Sequence, residues 1–522
     1  MTLTEIQLEQ MSFDGMVDSL DKQVAGPRKA LLLQNVYPQD PEFGGSVVGR
    51  PGFRLTEDNQ LGSSNNRTTQ RTFQFTKLDG TERTVGFVGG KMYTYDWGSR
   101  AWTEVTLSGV SLNTSAKIFC VTFADKLLVN PNDGVNKPWT WDGTTFVSLT
   151  NASTIFGEIV IYYAKWFGIK EADRSAFIWS EENDPTTGFE AGGFNNSWTL
   201  GQTDQEPLQA LYATNAALYY WRARSIGAIS GQVTTNFVNT GTRDGVSEDV
   251  GTISPAAIVT HKRDIYFLDA EGRPHVIRPG LGVLPIWRAA RETIAQFPQD
   301  QLSKAVAIND TGTNHIVFGV AETLQSNPTI QLAYRYNDQG GIAVFSSVWK
   351  GFTFQSMDVV KDGGLAPTII HGSTDGYLYD HGQPNGSLRD DELKAGTVPI
   401  EHVVEGTSLG YDTKEDKIFD RMDASFRMQN SLTDLVFSYT TPGGTSTYSA
   451  LTISGGFDVF GTGVFGTAVF ADIGLEAHQA LGMDGYGRWI RPKVVHNKAG
   501  EQFGFNGWSI KAFPEGQDPA TT

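Results

Sequence analysis

An aromatic hairpin recurs along the chain and limits the fold more than any other feature. It reads Lys91-Met-Tyr-Thr-Tyr-Asp-Trp97, Lys137-Pro-Trp-Thr-Trp-Asp-Gly143, Ala217-Leu-Tyr-Tyr-Trp221, Asp264-Ile-Tyr-Phe-Leu-Asp269 and Asp375-Gly-Tyr-Leu-Tyr-Asp380. Weaker copies stand at Phe177-Ile-Trp-Ser180 and Leu332-Ala-Tyr-Arg-Tyr336. Each copy alternates large apolar residues and breaks at Asp, Asn or Gly, the pattern of a short strand entering a tight turn. Neighbouring copies are about 40 to 47 residues apart, and one gap of about 68 leaves room for an unmarked unit. A period of this length with several strands per unit predicts stacked repeats, here propeller blades, because one blade cannot bury its own aromatic face. The repeat region spans 71–380 and accommodates about seven blades at roughly 40 to 45 residues each.

The flanks differ in kind. Residues 1–70 read as an N-terminal arm and strands that pair with a C-terminal unit, because neither flank alone supplies enough strands for a closed core. Residues 381–397 read as a linker, 398–513 as a β-sandwich-like domain and 514–522 as a flexible tail. Strands are expected at Lys417-Ile-Phe419, Leu435-Val-Phe-Ser-Tyr439, Trp489 to Val495 and Trp508 to Phe513. The run 457–470 places Phe460, Phe465 and Phe470 five residues apart, a spacing of neither helix nor strand. It reads as a glycine-rich loop docked on the sandwich, with a membrane-touching tip as the alternative.

Helix-period stretches are scarce and glycine is abundant, with 58 in 522 residues, so the chain is expected to be mostly β. The formal charge is −17, a surface that repels phosphate backbones and anionic membranes; sequence-reading DNA binding is not expected. The single cysteine, Cys120, lies in an apolar run and reads as a small buried hydrophobe. The start carries no signal-peptide pattern and no stretch approaches 18 apolar residues, which predicts folding in a cytoplasm and no transmembrane segment.

A search for chemistry finds no catalytic constellation. Sialidase-like propellers repeat a Ser-x-Asp-x-Gly-x-Thr-Trp box; Ser373-Thr-Asp-Gly-Tyr377 is the nearest stretch, and it lacks the spacing residue and does not recur. The acidic pairs Glu181-Glu182 and Glu415-Asp416 sit in polar, turn-like runs that suit solvated faces rather than a protonated acid in an apolar pocket. His371 and His381 flank one hairpin without a metal-binding spacing, and Asn130-Pro-Asn-Asp-Gly134 lacks the final glutamate of a calcium loop. No catalytic residue, metal or cofactor is expected.

The motifs converge on a family through their order. Asn35, then Arg50-Pro51-Gly52-Phe53, resembles the opening of tail nozzle (hub) proteins of short-tailed bacteriophages, where such a turn precedes a β-propeller. Glu206 to Leu211, Ala217 to Trp221 and Arg224 to Gly231 resemble a central blade of that family, and Ser254 to Gly272 the blade after it. Gly487 to Arg491 and Phe505 to Ile510 are similar to its C-terminal sandwich. The resemblance implies a homohexameric ring in the virion tail below the portal or adaptor ring, docking tail fibres or tailspikes and passing double-stranded DNA without reading it. Six copies of this chain would carry about −100 formal charges, and a negative lumen lets DNA slide. Two acidic loops are candidate lumen or gate elements: Asp244, Glu248 and Asp249 in one, Asp390, Asp391 and Glu392 in the other. Outward solvent loops are the alternative for both. A carbohydrate-binding or carbohydrate-cleaving tail propeller and a cellular propeller scaffold for protein partners remain as other classes.

Overall fold

Each aromatic hairpin belongs to its own small antiparallel sheet. The computed structural model describes residues 6–10, 13, 15–18, 29–38, 46–188, 196–200, 206–231, 233, 242–336, 341–361, 367–381, 390–410, 415–427, 432–453 and 476–514. The chain is mostly β. Among the described residues the repeat region forms seven consecutive sheets, at 69–105, 119–148, 155–199, 210–247, 258–285, 306–349 and 356–381. The aromatic copy is the third strand in sheets one, two, three, six and seven, and the second strand in sheets four and five. That change of strand, together with helical turns at Arg288–Ala290, Arg291–Ile294 and Gln299–Lys304, accounts for the 68-residue gap. No additional unit fills it.

The aromatic faces meet between sheets, which is why the repeat is aromatic. Trp139 and Trp141 pack on Phe75, Phe87 and Met92 of the sheet before. Phe167 and Trp179 pack on Leu211, Leu218 and Tyr220 of the next. Trp221 meets Phe267. Tyr93, Tyr95 and Trp102 of the first sheet meet Val360, Ile370 and Leu378 of the last. A fully buried tryptophan removes on the order of 200 Å² from water, about 5 kcal/mol of hydrophobic driving force before chain entropy is counted. The opening strands of successive sheets lie beside one another, except that the fourth and fifth are linked through the Tyr212 hydroxyl, which donates to Thr260 at 3.0 Å, and Ser356–Val360 of the last lies against Thr69–Thr76 of the first.

The C-terminal unit is two sheets packed face to face. One has the order Val36–Pro38, Val47–Gly49, Gly504–Pro514, Lys417–Arg427, Glu476–Gly487, with Ile6–Gln10 also on Gly504–Pro514. The other continues the sixth sheet of the repeat region: Val344–Trp349, Leu32–Gln34, His402–Glu405, Arg491–His496, Leu432–Thr441, Gly444–Ile453. Leu432–Thr441 alternates burial as a half-buried strand should, with Leu435, Phe437 and Tyr439 inward against Phe426, Phe505 and Trp508.

The N-terminal segment divides between the two units. Its strands from Ile6–Gln10 to Val47–Gly49 join the C-terminal sheets, with Leu32–Gln34 also bridging to Val348. Phe53–Leu55, expected with the C-terminal unit, instead pairs with Leu378–His381 and supplies the fourth strand of the last repeat sheet. The expected linker is also ordered where it is described. Asp391–Leu393 and Gly396–Val398 form a hairpin whose Glu392 lies beside Arg54, because a short strand edge is covered there rather than left open. The Phe-rich segment 457–470 lies outside the described residues.

Candidate functional site

Two polar clusters stand out, one buried at the junction of the units and one, half-buried and termed axial below, where the opening strands of the repeat sheets converge. The junction is built by the turn read from the sequence. Asn35 sits between two short strands in the left-handed region, φ 55°, where asparagine is tolerated better than most residues. Its Nδ2 donates to the Glu401 carbonyl at 3.0 Å, and its Oδ1 accepts from the Lys350 amide at 2.7 Å and Arg50 Nε at 3.1 Å. Arg50 grips Asp391 with both terminal nitrogens, at 2.9 and 2.7 Å, and donates to the carbonyls of Pro51 at 3.0 Å and Lys350 at 3.1 Å. Every guanidinium N–H therefore has an acceptor. The pair is dry, the Arg50 and Asp391 side chains being 1% and 3% exposed.

Pro51, Gly52 and Phe53 complete the junction. The Phe53 amide donates to Asp391 Oδ1 at 3.0 Å, and Arg50 lies 4.6 Å over the Phe53 ring. That ring packs on Phe352, His371 and His381 at 5.0, 4.7 and 5.1 Å. His381 Nε2 lies 3.1 Å from the Pro51 carbonyl and donates to it. At Gly52 an added Cβ would stand 1.8 Å from the Asp390 carbonyl oxygen. Because that neighbour is backbone, Gly52→Ala is expected to cost more than about 2 kcal/mol in urea unfolding; a change within about 0.5 kcal/mol would contradict the packing described.

The lumen candidates separate. Asp390 and Asp391 are not exposed gate carboxylates: Asp391 is held by Arg50, and Asp390 is buried and accepts from the Gly500 amide at 2.7 Å. Their setting reverses the expectation, since an acidic run looks solvated until its basic partner, 341 residues away, is known. Glu392 is exposed beside Arg54. Asp244 is exposed on Thr242–Ser247, the outermost strand of its sheet, and Glu248 and Asp249 are exposed just after it.

The axial cluster escaped the sequence reading. Arg71, Glu158 and Asp358 project from the opening strands of the first, third and seventh sheets, and Lys117 precedes that of the second. Arg71 lies 2.9 Å from Glu158 and 3.0 Å from Asp358. Asp358 also accepts from the Thr72 amide and hydroxyl, both at 3.0 Å. Burial pulls the Lys117 amine down to about 7, and the neighbouring Arg71 pulls the same way. Burial raises the Glu158 carboxyl, with Arg71 opposing. Burial also raises the Cys120 thiol, which makes it a poor nucleophile. The signal for this cluster was a lone glutamate in the otherwise apolar and glycine strand Ile155-Phe-Gly-Glu-Ile-Val-Ile-Tyr162.

The four side chains line a chamber of about 60 Å³, room for a water or two, between wider cavities of about 370 and 520 Å³. Arg71, Lys117, Glu158 and Asp358 thus leave little open space where the opening strands of their sheets converge. Among the described residues no group of three or more His, Cys, Asp and Glu is placed to hold a metal. His371 and His381 do meet, with ring centroids 5.7 Å apart, but in an aromatic cluster. No described helix is long and apolar enough to cross a membrane.

No protein-family profile matches the chain, and no curated protein matches it. Among solved structures it is similar to the extracellular domain of the one component system BT4673 from B. thetaiotaomicron, at 10% identity and a TM-score of 0.39, covering 74% of this chain and 45% of that one. The chain therefore spans about half of that neighbour. It is also similar to BBS1N, crystallised in complex with ARL6DN, at 9% identity and a TM-score of 0.40, covering 64% of this chain and 98% of that one. A third is the N-terminal domain of Nup159, at 11% identity and a TM-score of 0.38, covering 68% and 99%. At these identities and scores none of them bears on what this chain does.

Proposed function

We propose that this chain is a structural component of a bacteriophage tail, a nozzle subunit whose repeat region is a closed seven-bladed propeller. The supporting observation is the junction. Asn35, Arg50, Pro51, Gly52 and Phe53, the residues that resemble the opening of tail nozzle proteins, gather around one buried ion pair that ties the repeat region to the C-terminal unit. A motif spent on joining two units suits a load-carrying part. In this reading the DNA path runs between copies of a homohexamer, since Arg71, Lys117, Glu158 and Asp358 leave little open space where the opening strands of one chain converge. The hexamer sits below the portal or adaptor ring, docks tail fibres or tailspikes, and turns Asp244, Glu248, Asp249 and Glu392 toward the lumen, where they repel the passing duplex. Quantifying the chain against the capsid protein of purified particles tests the reading. Six copies per particle are expected, and a copy number that is not a multiple of six rejects the ring.

A further inference from the structure

The smaller of the two wider cavities beside the axial cluster has features of a ligand site that the nozzle reading leaves unused. It is a half-open cleft of about 370 Å³, near the lower end of the range for small-molecule pockets. Seven of its ten lining residues carry a hydroxyl or a carboxamide, two are lysines, and none is acidic. That absence of carboxylates matters in a chain with 58 acidic and 41 basic residues. Lys304, at the rim, donates to the Ser326 carbonyl at 2.7 Å, and Lys117, at the floor, reaches only the Ala305 carbonyl at 3.4 Å. Among the described residues neither lysine has a carboxylate within ion-pair distance. Thr69 lines the same wall with a buried hydroxyl that has no hydrogen-bond partner among the described residues.

We propose that this cavity binds a small polyhydroxylated anion of monosaccharide size, its charge held by Lys117 and Lys304 and its hydroxyls by the Thr69, Asn327 and Gln355 side of the wall. Lys304 has no carboxylate in ion-pair range among the described residues, and Lys117 meets Glu158 and Asp358 only from the axial-cluster side; together they favour negative charge in the cavity, and a wall of hydroxyls and amides selects a sugar over an apolar ligand. Lys117 is the element that makes the site specific to this chain. Around it stand Arg71, Glu158 and Asp358 on the axial side, and the ligand would occupy the other. An anion arriving there favours the ammonium form of an amine otherwise held near neutrality, so binding takes up a proton. Affinity then falls as pH rises above about 7.

The inference stands apart from the nozzle reading and is tested on the isolated full chain. Isothermal titration with glucose 6-phosphate and with glucuronate, repeated in buffers of different ionisation enthalpy, reads affinity and proton uptake together. Both sugar anions are expected to bind with net proton uptake, and uncharged glucose is expected not to bind. Inorganic phosphate is expected to bind at least about tenfold more weakly. Lys304→Gln, an exposed change that leaves the fold intact, is expected to weaken binding about tenfold. Lys117→Met is expected to remove the proton uptake as well. The proposal is overturned if neither sugar anion binds, if inorganic phosphate binds as tightly as they do, or if Lys304→Gln binds with unchanged affinity.

Discussion

Arg50→Met is expected to destabilise the protein by about 3 to 5 kcal/mol or to prevent it from folding, because it leaves the buried Asp391 carboxylate without its cation. The loss extends beyond one pair. Asn35 Oδ1 and the Pro51 and Lys350 carbonyls each lose a donor in the same step. Arg50→Lys is expected to rescue little, since a single ammonium cannot reproduce the bidentate grip and the bond to Asn35. Arg50→Met combined with Asp391→Leu is expected to recover part of the loss, because the pair is then replaced by apolar groups rather than broken. Urea unfolding of the four proteins reads these differences directly. An Arg50→Met variant within about 1 kcal/mol of the parent would show that the junction does not hold the two units together.

Acid is the second large effect. Five of the eight histidines are buried and shifted downward, burial being the first cause in each: His315, His371, His381, His402 and His496. His315 is lowered to about 4, against about 6.5 in an unfolded chain. A lowered histidine is neutral in the folded protein while the unfolded chain takes up a proton. Stability is therefore complete above about 6.5 and is lost as pH falls through that value toward the folded pKa. A falling urea midpoint between pH 7.5 and pH 5 is expected, the five histidines together outweighing the opposite effect of the raised Asp18 and Glu158 carboxyls. A flat midpoint across that interval would contradict the burial described. His371→Phe separates the contributions, since both ring nitrogens of His371 lack partners among the described residues and its neighbours are Phe53, Phe352 and Phe354. That variant is expected to keep its stability at neutral pH and to lose less of it in acid.

The repeat was legible in the sequence because its information is local. Each sheet carries a strand such as Lys91–Asp96 or Trp139–Trp141 whose large rings need a neighbouring sheet, and the period follows from that need. The placement of Phe53–Leu55 was not legible. Three residues carry no usable alternation, and their partner strand Leu378–His381 lies more than 300 residues onward. The turn Arg50 to Phe53 was recognisable as a motif, whereas its partner was not, since Asp391 sits in a run of acidic residues that resembles a solvated loop. The axial cluster stayed hidden for a related reason. Arg71, Lys117, Glu158 and Asp358 come from four separate strands or strand approaches, and only the packing of the first, second, third and seventh sheets on one another brings them together.

The central claim is that copies of this chain form a six-fold ring in a phage tail, with the genome passing between copies rather than through any one of them. Cryo-electron microscopy of the intact particle, with symmetry determined at the tail, tests it most directly. The account predicts a ring of six copies below the portal, each an intact circuit of seven sheets with its axial passage closed around Arg71 and Glu158, and a lumen shared by all six. Density for this chain as a lone disc, in a ring of another symmetry, or with DNA threaded through its own axis would contradict it.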